Sequence, residues 1–368
     1  MSKLPTNLYA QVYDFGNLYE AFRKARRGKR GRPPAAAFEF NLEENLLRLR
    51  EELASKIYRP GPYVSFTIHE PKRRLVSAAP FRDRVVHHAL CNGIEPIFEQ
   101  GFIFDSYANR IGKGTHRALD RCQAFARELP YVLQCDVVQF FPSVDLAILR
   151  GILAKTIADR DVLWLADRIL ESGEGVLDDE YRMRWFPGDD LLSPLRPRGL
   201  PIGNLTSQFW ANVYLNELDQ FAVRELGCRH YIRYVDDILL FAADKPTLHR
   251  WREELIRKLG ELRLALHEER AGVFPVTEGI PFLGFRVFPA HRRLKRAKGI
   301  GFQRRFKTLL RQYQAGEITM DRLNASVRGW VAHASHGDTY GLRKAILSHP
   351  IPRRQAGHER VADLHAHA

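Results

Sequence analysis

The chain has 368 residues, of which 45% are hydrophobic, and its 57 Lys and Arg residues outnumber its 43 Asp and Glu residues to give a net charge of +14. This length and apolar content suffice for a core in two or three subdomains, and the charge favours a polyanionic partner, nucleic acid first. No apolar run reaches the roughly 18 to 20 residues that span a bilayer, and no signal-peptide core is found, so we expect a cytoplasmic protein without a membrane partner. The four cysteines form no CxxC pair, so we expect neither a zinc knuckle nor a disulfide framework.

The first 60 residues are predicted to form a basic and helical extension. Residues 23–32, RKARRGKRGR, hold seven basic residues in ten. A solvated loop is one interpretation, but this density with glycines favours a flexible phosphate-binding arm. The candidate contacts are Arg26, Arg27, Lys29 and Arg30. Leucines at helical spacing predict a helix over residues 43–57.

The next segments alternate between strand and helix patterns. FTIHEPKRRLVSAAPF predicts a strand that turns at Glu70-Pro71 and resumes. YVLQCDVVQFFPSVD predicts a strand that ends at Asp136, followed by a helix whose start is marked by Pro142 and Ser143. Residues 177–197 break all periodicity and indicate an inserted loop or hairpin.

The remaining segments are mostly helical. GLPIGNLTSQFWANVYLNELDQFA opens with turn residues and predicts a helix through Leu218, and residues 247–266 predict another. IPFLGFRVFP reads as one strand. Residues 291–315 contain many Lys and Arg and no acidic residue, in a predicted helix. The tail at 350–368 is polar and rich in His and Ala, which is typical of disorder.

Two adjacent carboxylates, Asp236 and Asp237, lie between two apolar runs in RHYIRYVDDILLFAAD. Asp-Asp is a poor hairpin turn, and the like charges repel. The placement makes sense if a divalent cation neutralises them, with Asp136 as a third ligand from a neighbouring strand. An acidic pair alone is a weak signal, because surface pairs are common.

The flanking motifs strengthen the signal. YVDD, CDVVQFFPSVD and GLPIGNLTSQ together resemble the palm motifs of reverse transcriptases. EPKRRLVSAAPFRDRVVHHAL and SYANRIGKGTHRAL are similar to the two fingers motifs, GIPFLGFRVF to the primer grip, and SVRGWVAHASHGDTYGLRKAI to the thumb. The resemblance covers nearly the whole chain and implies an α+β right-hand polymerase fold. It implies fingers at 61–130, a palm built on an antiparallel sheet at 131–290, and a helical thumb at 291–349.

The resemblance also implies a chemistry. The expected activity is RNA-directed DNA polymerisation with two Mg²⁺ ions, for which Mn²⁺ can substitute, and the expected partners are an RNA template, a cDNA or primer, and deoxynucleoside triphosphates. Asp136 and Asp236 would be the principal metal ligands and catalytic residues, with Asp237 assisting and the Val137 carbonyl completing one site. Phe141 falls where the family places an aromatic gate against a ribose 2′-hydroxyl. Core packing is the alternative, because either Phe141 or its neighbour Phe140 has to face inward.

The same resemblance suggests phosphate-binding cations. In the fingers motifs the candidates for the incoming nucleotide are Lys72, Arg74, Arg110 and Lys113. A solvated surface charge is the alternative for any of them, and Arg74 is favoured because it begins a strand. After the hairpin, LHEERAGV offers His267 and Arg270 where relatives often place a Lys; Arg270 suits a phosphate but not a general acid. In the thumb the candidate backbone contacts are Arg293, Lys295, Arg304 and Arg305.

One motif departs from the common pattern. LPIGNLTSQ has Ile202 where most reverse transcriptases have Gln, before Gly203, and Gln208 where they have Pro. These three residues are expected at the nucleotide. The variant resembles the enzymes of diversity-generating retroelements, which copy a template repeat with errors at adenines and work with a small basic accessory protein. LYEAFRKARRGKR and the lack of RNase H, maturase or endonuclease extensions fit that group, in a bacterial or phage-encoded cytoplasmic protein.

Three readings therefore stay open. The first is an error-prone polymerase of a diversity-generating retroelement. The second keeps the polymerase but assigns it to antiviral defence or to a group II intron-like element. The third is a basic RNA-binding scaffold without activity, against which the intact Asp136, Asp236 and Asp237 argue.

Overall fold

The structure is a computed structural model that describes residues 7–69 and 73–348. The turn predicted at Glu70-Pro71, the candidate Lys72 and the tail at 350–368 lie outside the described residues. The chain divides into two compact units. The first runs to Gly114 and resumes over Leu133–Val273; the second comprises Thr115–Val132 and the chain from Phe274 onward.

Helices and strands are mixed along the chain, in the mixed α+β class that the sequence predicts. The helices are α1 (Leu8–Val12), α2 (Phe15–Arg26), α3 (Pro33–Phe40), α4 (Leu42–Ala54), α5 (Phe81–Glu99), α6 (Thr115–Glu128), α7 (Phe140–Ser143), α8 (Leu146–Thr156), α9 (Arg160–Ser172), α10 (Leu205–Gln220), α11 (Lys245–Glu261), α12 (Arg296–Gln314), α13 (Met320–Ala334) and α14 (Tyr340–Leu347). The strands are β1 (Val64–Ile68), β2 (Arg74–Ala78), β3 (Tyr131–Asp136), β4 (Tyr231–Tyr234), β5 (Asp237–Ala242), β6 (Gly272–Pro275), β7 (Ile280–Phe282), β8 (Phe285–Val287) and β9 (Arg292–Leu294). No helix in the described part of the chain is both long and apolar enough to cross a bilayer.

The first unit packs its helices around α5, which contacts α1, α2, α3 and α10. The helix predicted from leucine spacing is confirmed as α4, whose Leu46, Leu49 and Leu53 are buried. The basic stretch is not the predicted flexible arm. Its first part is the end of α2, and residues 27–32 form hydrogen-bonded turns that lead into α3. Arg26 pairs there with Glu39, which ties the turn to α3.

Two sheets contain strands of this unit. β1 and β2 form an antiparallel hairpin in which Phe66 pairs with Val76. The second sheet has the strand order β4-β5-β3-β6, with β4 and β5 antiparallel. Its central strands are buried, as the apolar runs around the acidic pair predict, and Ile238, Leu239 and Leu240 are fully enclosed.

The segment after β3 differs from the prediction in one detail. Pro142 and Ser143 do not start the following long helix, because they close the four-residue helix α7. Asp145 starts α8 instead. Its carboxylate accepts hydrogen bonds from the backbone N–H groups of Ala147 (2.9 Å) and Ile148 (3.0 Å), which is ordinary N-terminal capping.

The second unit contains a sheet of order β7-β8-β9 and the helices α12 to α14. IPFLGFRVFP is a hairpin of two strands, not the predicted single strand. Leu283 and Gly284 have φ values of 44° and 91°, and a two-residue turn with both central residues at positive φ reverses the chain. The helices share an apolar core in which Phe302 stacks on Trp330 with ring centroids 4.1 Å apart.

Candidate active site

The β4–β5 hairpin turns on Val235 and Asp236, because Tyr234 pairs directly with Asp237. The sequence suggested that Asp236 and Asp237 themselves make the turn, but Asp237 is already the first residue of β5. Val235 has φ +56°, a conformation that strains a β-branched residue and that persists only where the surroundings enforce it. The turn thus holds Asp236 at its tip with stored strain.

A buried arginine supports this turn from below. Arg233 is 1% exposed, and its Nε and Nη2 each donate to the carboxylate of Asp219 at 2.7 Å. Its other donors reach the Asn212 side chain (3.0 Å), the Ser106 hydroxyl (3.2 Å) and the backbone carbonyl of Val235 (3.2 Å). Burial by itself would lower the pKa of Arg233, but the Asp219 carboxylate outweighs it, so the pKa is raised. The guanidinium therefore stays charged and fixes the strained turn.

The third predicted carboxylate lies on a neighbouring strand. Asp136 is the last residue of β3, Asp237 is the first of β5, and these strands are adjacent in the sheet. Asp136, Asp236 and Asp237 are all half-buried. Across the described residues, no three His, Cys, Asp or Glu side chains already form a metal-binding cluster. Carboxylate oxygens nevertheless suit Mg²⁺, which takes one or two of them and completes its shell with water and substrate phosphates.

The backbone carbonyl of Val137, which the sequence predicts as a metal ligand, makes neither hydrogen bond of the β-bridge that follows β3. Val137 lies opposite Leu266 in an isolated antiparallel bridge. Both hydrogen bonds of this bridge are made by its neighbours: the Asp136 carbonyl accepts from the N–H of His267, and Val138 donates to Ala265, each at 2.8 Å. The Val137 carbonyl therefore takes no part in the bridge.

The two neighbouring phenylalanines have different environments. Phe140 is 2% exposed, whereas Phe141 is half-buried, with 5.3 Å between the ring centroids. The ring that has to face inward is thus Phe140. Phe141 is the ring with an accessible surface.

The loop that carries Ile202 is fastened to β2. The Ile202 carbonyl accepts from the N–H of Ser77 at 2.8 Å. Gly203 has φ +119°, and a Cβ there would lie 2.9 Å from Val76, so a side chain would collide with the strand. Sequence reasoning missed Asn204, which is buried and donates to the Ser77 carbonyl at 2.9 Å. Gln208 is exposed in the first turn of α10.

The predicted fingers cations fall into two groups. Arg74 is exposed at the start of β2. Arg110 instead forms a bidentate ion pair with Glu99, with its side chain 6% exposed, and also donates to two backbone carbonyls. Lys113 donates to the Phe104 carbonyl at 2.7 Å and lies over its ring. Arg110 and Lys113 therefore stabilise their own loop, which leaves Arg74 as the exposed cation of the three.

The remaining predicted cations lie in different parts of the chain. In the first unit, Arg30 reaches the same Glu39 as Arg26, at 3.3 Å, and Arg27 and Lys29 are exposed. In the second unit, Arg293 and Lys295 lie in and after β9. Arg304 and Arg305 are exposed on α12, whose other face buries Phe302 and Phe306. The α12 pair thus presents a basic surface on a packed helix.

Near Asp136 the structure brings together the residues that follow α11. Arg270 is 60% exposed in its side chain, and its Nη1 lies 3.9 Å from Asp136 Oδ2. The backbone N–H of His267 donates to the Asp136 carbonyl, as described above. The two residues that the sequence placed where relatives have a Lys thus do lie beside Asp136.

The sequence also matches a known protein family. A family profile described as "Reverse transcriptase (RNA-dependent DNA polymerase)" matches residues 68–287, more than half of the chain. The matched region contains β2 to β8 and all three carboxylates.

Curated relatives are similar at low identity. Protein YkfC of Escherichia coli K12 is 26% identical over 285 residues, which cover 67% of this chain and 71% of the relative. The group II intron-encoded protein LtrA of Lactococcus lactis is 24% identical over 185 residues, 50% of this chain but 29% of LtrA. Nuclear intron maturase 1 of Arabidopsis thaliana is 31% identical over 101 residues, 27% of this chain and 14% of the maturase. The chain thus spans well under half the length of these two intron-related proteins.

Proposed function

The chain belongs to the reverse transcriptase family, a family of RNA-directed DNA polymerases, and we propose that it copies an RNA template into cDNA by two-metal nucleotidyl transfer. The observation that carries the mechanism is the adjacency of β3 and β5, the strands that bear Asp136 and Asp237, with Asp236 at the strained turn beside them. Deoxynucleoside triphosphates and a primer or growing cDNA are the other substrates.

In this proposal the primer 3′-hydroxyl oxygen attacks the α-phosphorus of the incoming nucleotide. A new P–O bond forms, the bond from the α-phosphorus to the bridging oxygen breaks, pyrophosphate leaves, and the hydroxyl proton passes to solvent. Asp136 and Asp236 would hold two Mg²⁺ ions, with Asp237 and the Val137 carbonyl assisting. When bound, such ions activate the hydroxyl and stabilise the charge on the leaving group.

The other site residues receive roles within the same proposal. Arg74 would contact the triphosphate, and the Ile202–Gly203 loop, fixed on β2, would border the nucleotide. Phe141, the more accessible of the two rings, would exclude a 2′-hydroxyl. Arg304 and Arg305 would grip the nucleic-acid backbone from a thumb at 291–349, with fingers at 61–130 and a palm at 131–290.

Primer extension tests the proposal directly. Asp136→Asn and Asp236→Asn should abolish extension in Mg²⁺ or Mn²⁺ while circular dichroism and thermal unfolding remain as in the wild type. Asp178→Asn, an exposed acid in the first unit with 59% of its side chain accessible, is the matched control and should extend normally. Extension at the wild-type rate by either variant would remove that carboxylate from the ligand set.

We further propose that the polymerase is the error-prone enzyme of a diversity-generating retroelement. The support is Ile202, which offers only apolar contact where relatives carry a Gln that can hydrogen-bond. Loss of one such bond is worth about 1 kcal/mol, several-fold in fidelity. Ile202→Gln should therefore lower misincorporation, above all opposite template adenines. Sequencing of cDNA made by both proteins on one RNA measures this, and equal error rates at adenine would remove Ile202 from the explanation.

An intron-type reverse transcriptase is the second candidate. It is favoured by two relatives, an intron-encoded protein and a nuclear intron maturase. The cDNA error spectrum separates the candidates, because only the retroelement proposal expects errors concentrated at adenines. A template repeat beside a variable repeat in the neighbouring DNA would favour the first candidate, and there a small basic accessory protein is a proposed partner.

A further inference from the structure

An open cleft lies beside Asp136, between the predicted insertion and the loop after α11. Its volume is about 520 Å³. One wall is Val138 and Gln139, which follow Asp136 by two and three residues. The other lining residues include Arg182 and Arg184 from the insertion and His267, Glu268 and Glu269 from the loop.

The insertion is an ordered structure rather than a slack loop. The Asp189 side chain is 2% exposed and accepts from Arg196, from Arg263 (2.6 Å) and from the N–H of Phe186 (2.9 Å). These bonds fix residues 186–196 from the inside. They therefore anchor the insertion on the C-terminal side of Arg182 and Arg184.

Gln139 supplies the second attachment. Its side-chain oxygen accepts from the N–H of Arg182 at 3.2 Å, and its amide nitrogen donates to the Glu180 carbonyl. Gln139 has φ +46°, a left-handed conformation that is uncommon outside glycine. The residue three positions after Asp136 thus sets the position of the Arg182 backbone.

The two arginines at the cleft are available for a ligand. Arg182 and Arg184 are exposed and line the same cleft. Among the residues that the structure describes, neither guanidinium has an ion-pair or hydrogen-bond partner, whereas Arg196 and Arg198 of the same insertion are both paired. Guanidinium groups bind phosphate oxygens in bidentate fashion, and an exposed unpaired pair beside a polymerase carboxylate suits a phosphate ligand.

We propose that this cleft is a pyrophosphate site in which Arg182 and Arg184 contact the terminal phosphates of the incoming nucleotide and then the pyrophosphate that leaves. The inference rests on the proposed polymerase function. Pyrophosphate forms at the α-phosphorus that Asp136 serves, and Val138, Gln139 and His267 connect that position to the cleft. Glu268 and Glu269 line the same cleft, and their charges oppose a bare anion. The arginines therefore capture the leaving group, and the glutamates prevent it from being retained.

Single-nucleotide incorporation by the full chain tests this site. In Arg182→Ala/Arg184→Ala the KM for dNTP and the inhibitory concentration of added inorganic pyrophosphate should each rise about tenfold, the effect of losing one or two charged hydrogen bonds. The Kd for template–primer should not change. Arg182→Lys/Arg184→Lys should recover part of the effect. Arg229→Ala, which removes an exposed charge from the loop before β4, is the control and should change neither quantity.

The outcomes distinguish this inference from the proposed function. If the wild type extends primers and the double variant keeps both its KM and its pyrophosphate sensitivity, the pyrophosphate site is wrong and the polymerase stands. A weaker template–primer Kd with an unchanged KM would also overturn it, because the arginines would then contact a nucleic-acid strand. If the wild type shows no extension with Mg²⁺ or Mn²⁺, the proposed function fails, and this inference fails with it.

Discussion

The buried pair of Arg233 and Asp219 gives the sharpest test of how the β4–β5 turn is held. Asp219→Asn keeps the shape of the side chain but removes its charge, so Arg233 is left buried without a counter-ion. Tyr231, which donates to Asp219 Oδ1 at 2.8 Å, also keeps only a neutral acceptor. The substitution thus acts on the support of Val235 without touching any proposed metal ligand.

The expected magnitude follows from burial and geometry. The two side chains are 1% and 0% exposed and share two hydrogen bonds of 2.7 Å. Breaking a buried pair by removing one charge destabilises by about 3–5 kcal/mol, a large part of a typical total of about 5–15 kcal/mol. The exposed pair of Arg257 and Glu254, at 57% and 42% exposure, is the control; Glu254→Gln should cost less than about 1 kcal/mol.

Urea denaturation measures the free energy of unfolding, and primer extension at a temperature where all variants are folded measures function. Asp219→Asn should lose both stability and extension rate. The double variant Asp219→Leu/Arg233→Met replaces the pair with apolar groups and should regain much of the stability. It should not regain activity, because the substitution of Arg233 removes the donor to the Val235 carbonyl.

Two results would refute this reasoning. A stability loss below about 1 kcal/mol in Asp219→Asn would show that the pair contributes no more than an exposed one. Full activity of the double variant would show that the turn keeps its conformation without Arg233.

Three further predictions concern other parts of the chain. Burial lowers the pKa of His87 to about 3. This pKa lies below the unfolded value, so the contribution of the neutral imidazole to stability is complete above about pH 6.5 and is lost as the pH falls, by up to about 1.4 kcal/mol per pH unit. His87→Met should therefore reduce the slope of urea-measured stability against pH between about pH 7 and 5, and an unchanged slope would contradict this. Phe141→Ala should raise ribonucleotide incorporation in extension assays, whereas Phe140→Ala should chiefly destabilise the fold by about 3–5 kcal/mol; an unchanged preference in Phe141→Ala would move the gate elsewhere. Arg304→Gln/Arg305→Gln should reduce the slope of log affinity against log salt by up to about two in filter binding, and an unaltered slope would mean that the pair faces away from nucleic acid.

Much of the secondary structure could be predicted because the spacing of apolar residues in the sequence matches the faces that are buried in the fold. β3 ends at Asp136, α4 forms where leucines recur at helical spacing, and β4 and β5 lie on either side of the acidic pair, as apolar periodicity predicts. The hairpin at Leu283 and Gly284 was missed, because a turn that uses Leu at positive φ has no strong local signature.

The supporting residues could not be predicted in the same way. Asn204 and Asp219 are polar side chains on or next to α10, and nothing in their spacing shows that they are buried. Their partners, Ser77 and Arg233, are distant or on another element. Arg110 is the converse case. Its motif suggests a phosphate contact, but in the folded chain most of its N–H groups donate to Glu99 and to backbone carbonyls. Such assignments depend on long-range contacts that a single sequence does not contain.

The hairpin positions its two adjacent carboxylates in different ways. The strain falls on Val235, one residue before the acids, and Arg233 offsets it by donating to the Val235 carbonyl from within the core. Asp237, already in β5, is placed by its ladder pairing with Tyr234, whereas Asp236 is placed by the turn. The two carboxylates are thus positioned by different forces, ladder pairing for one and a buried ion pair for the other. A substitution at Asp219 should therefore disturb Asp236 far more than Asp237.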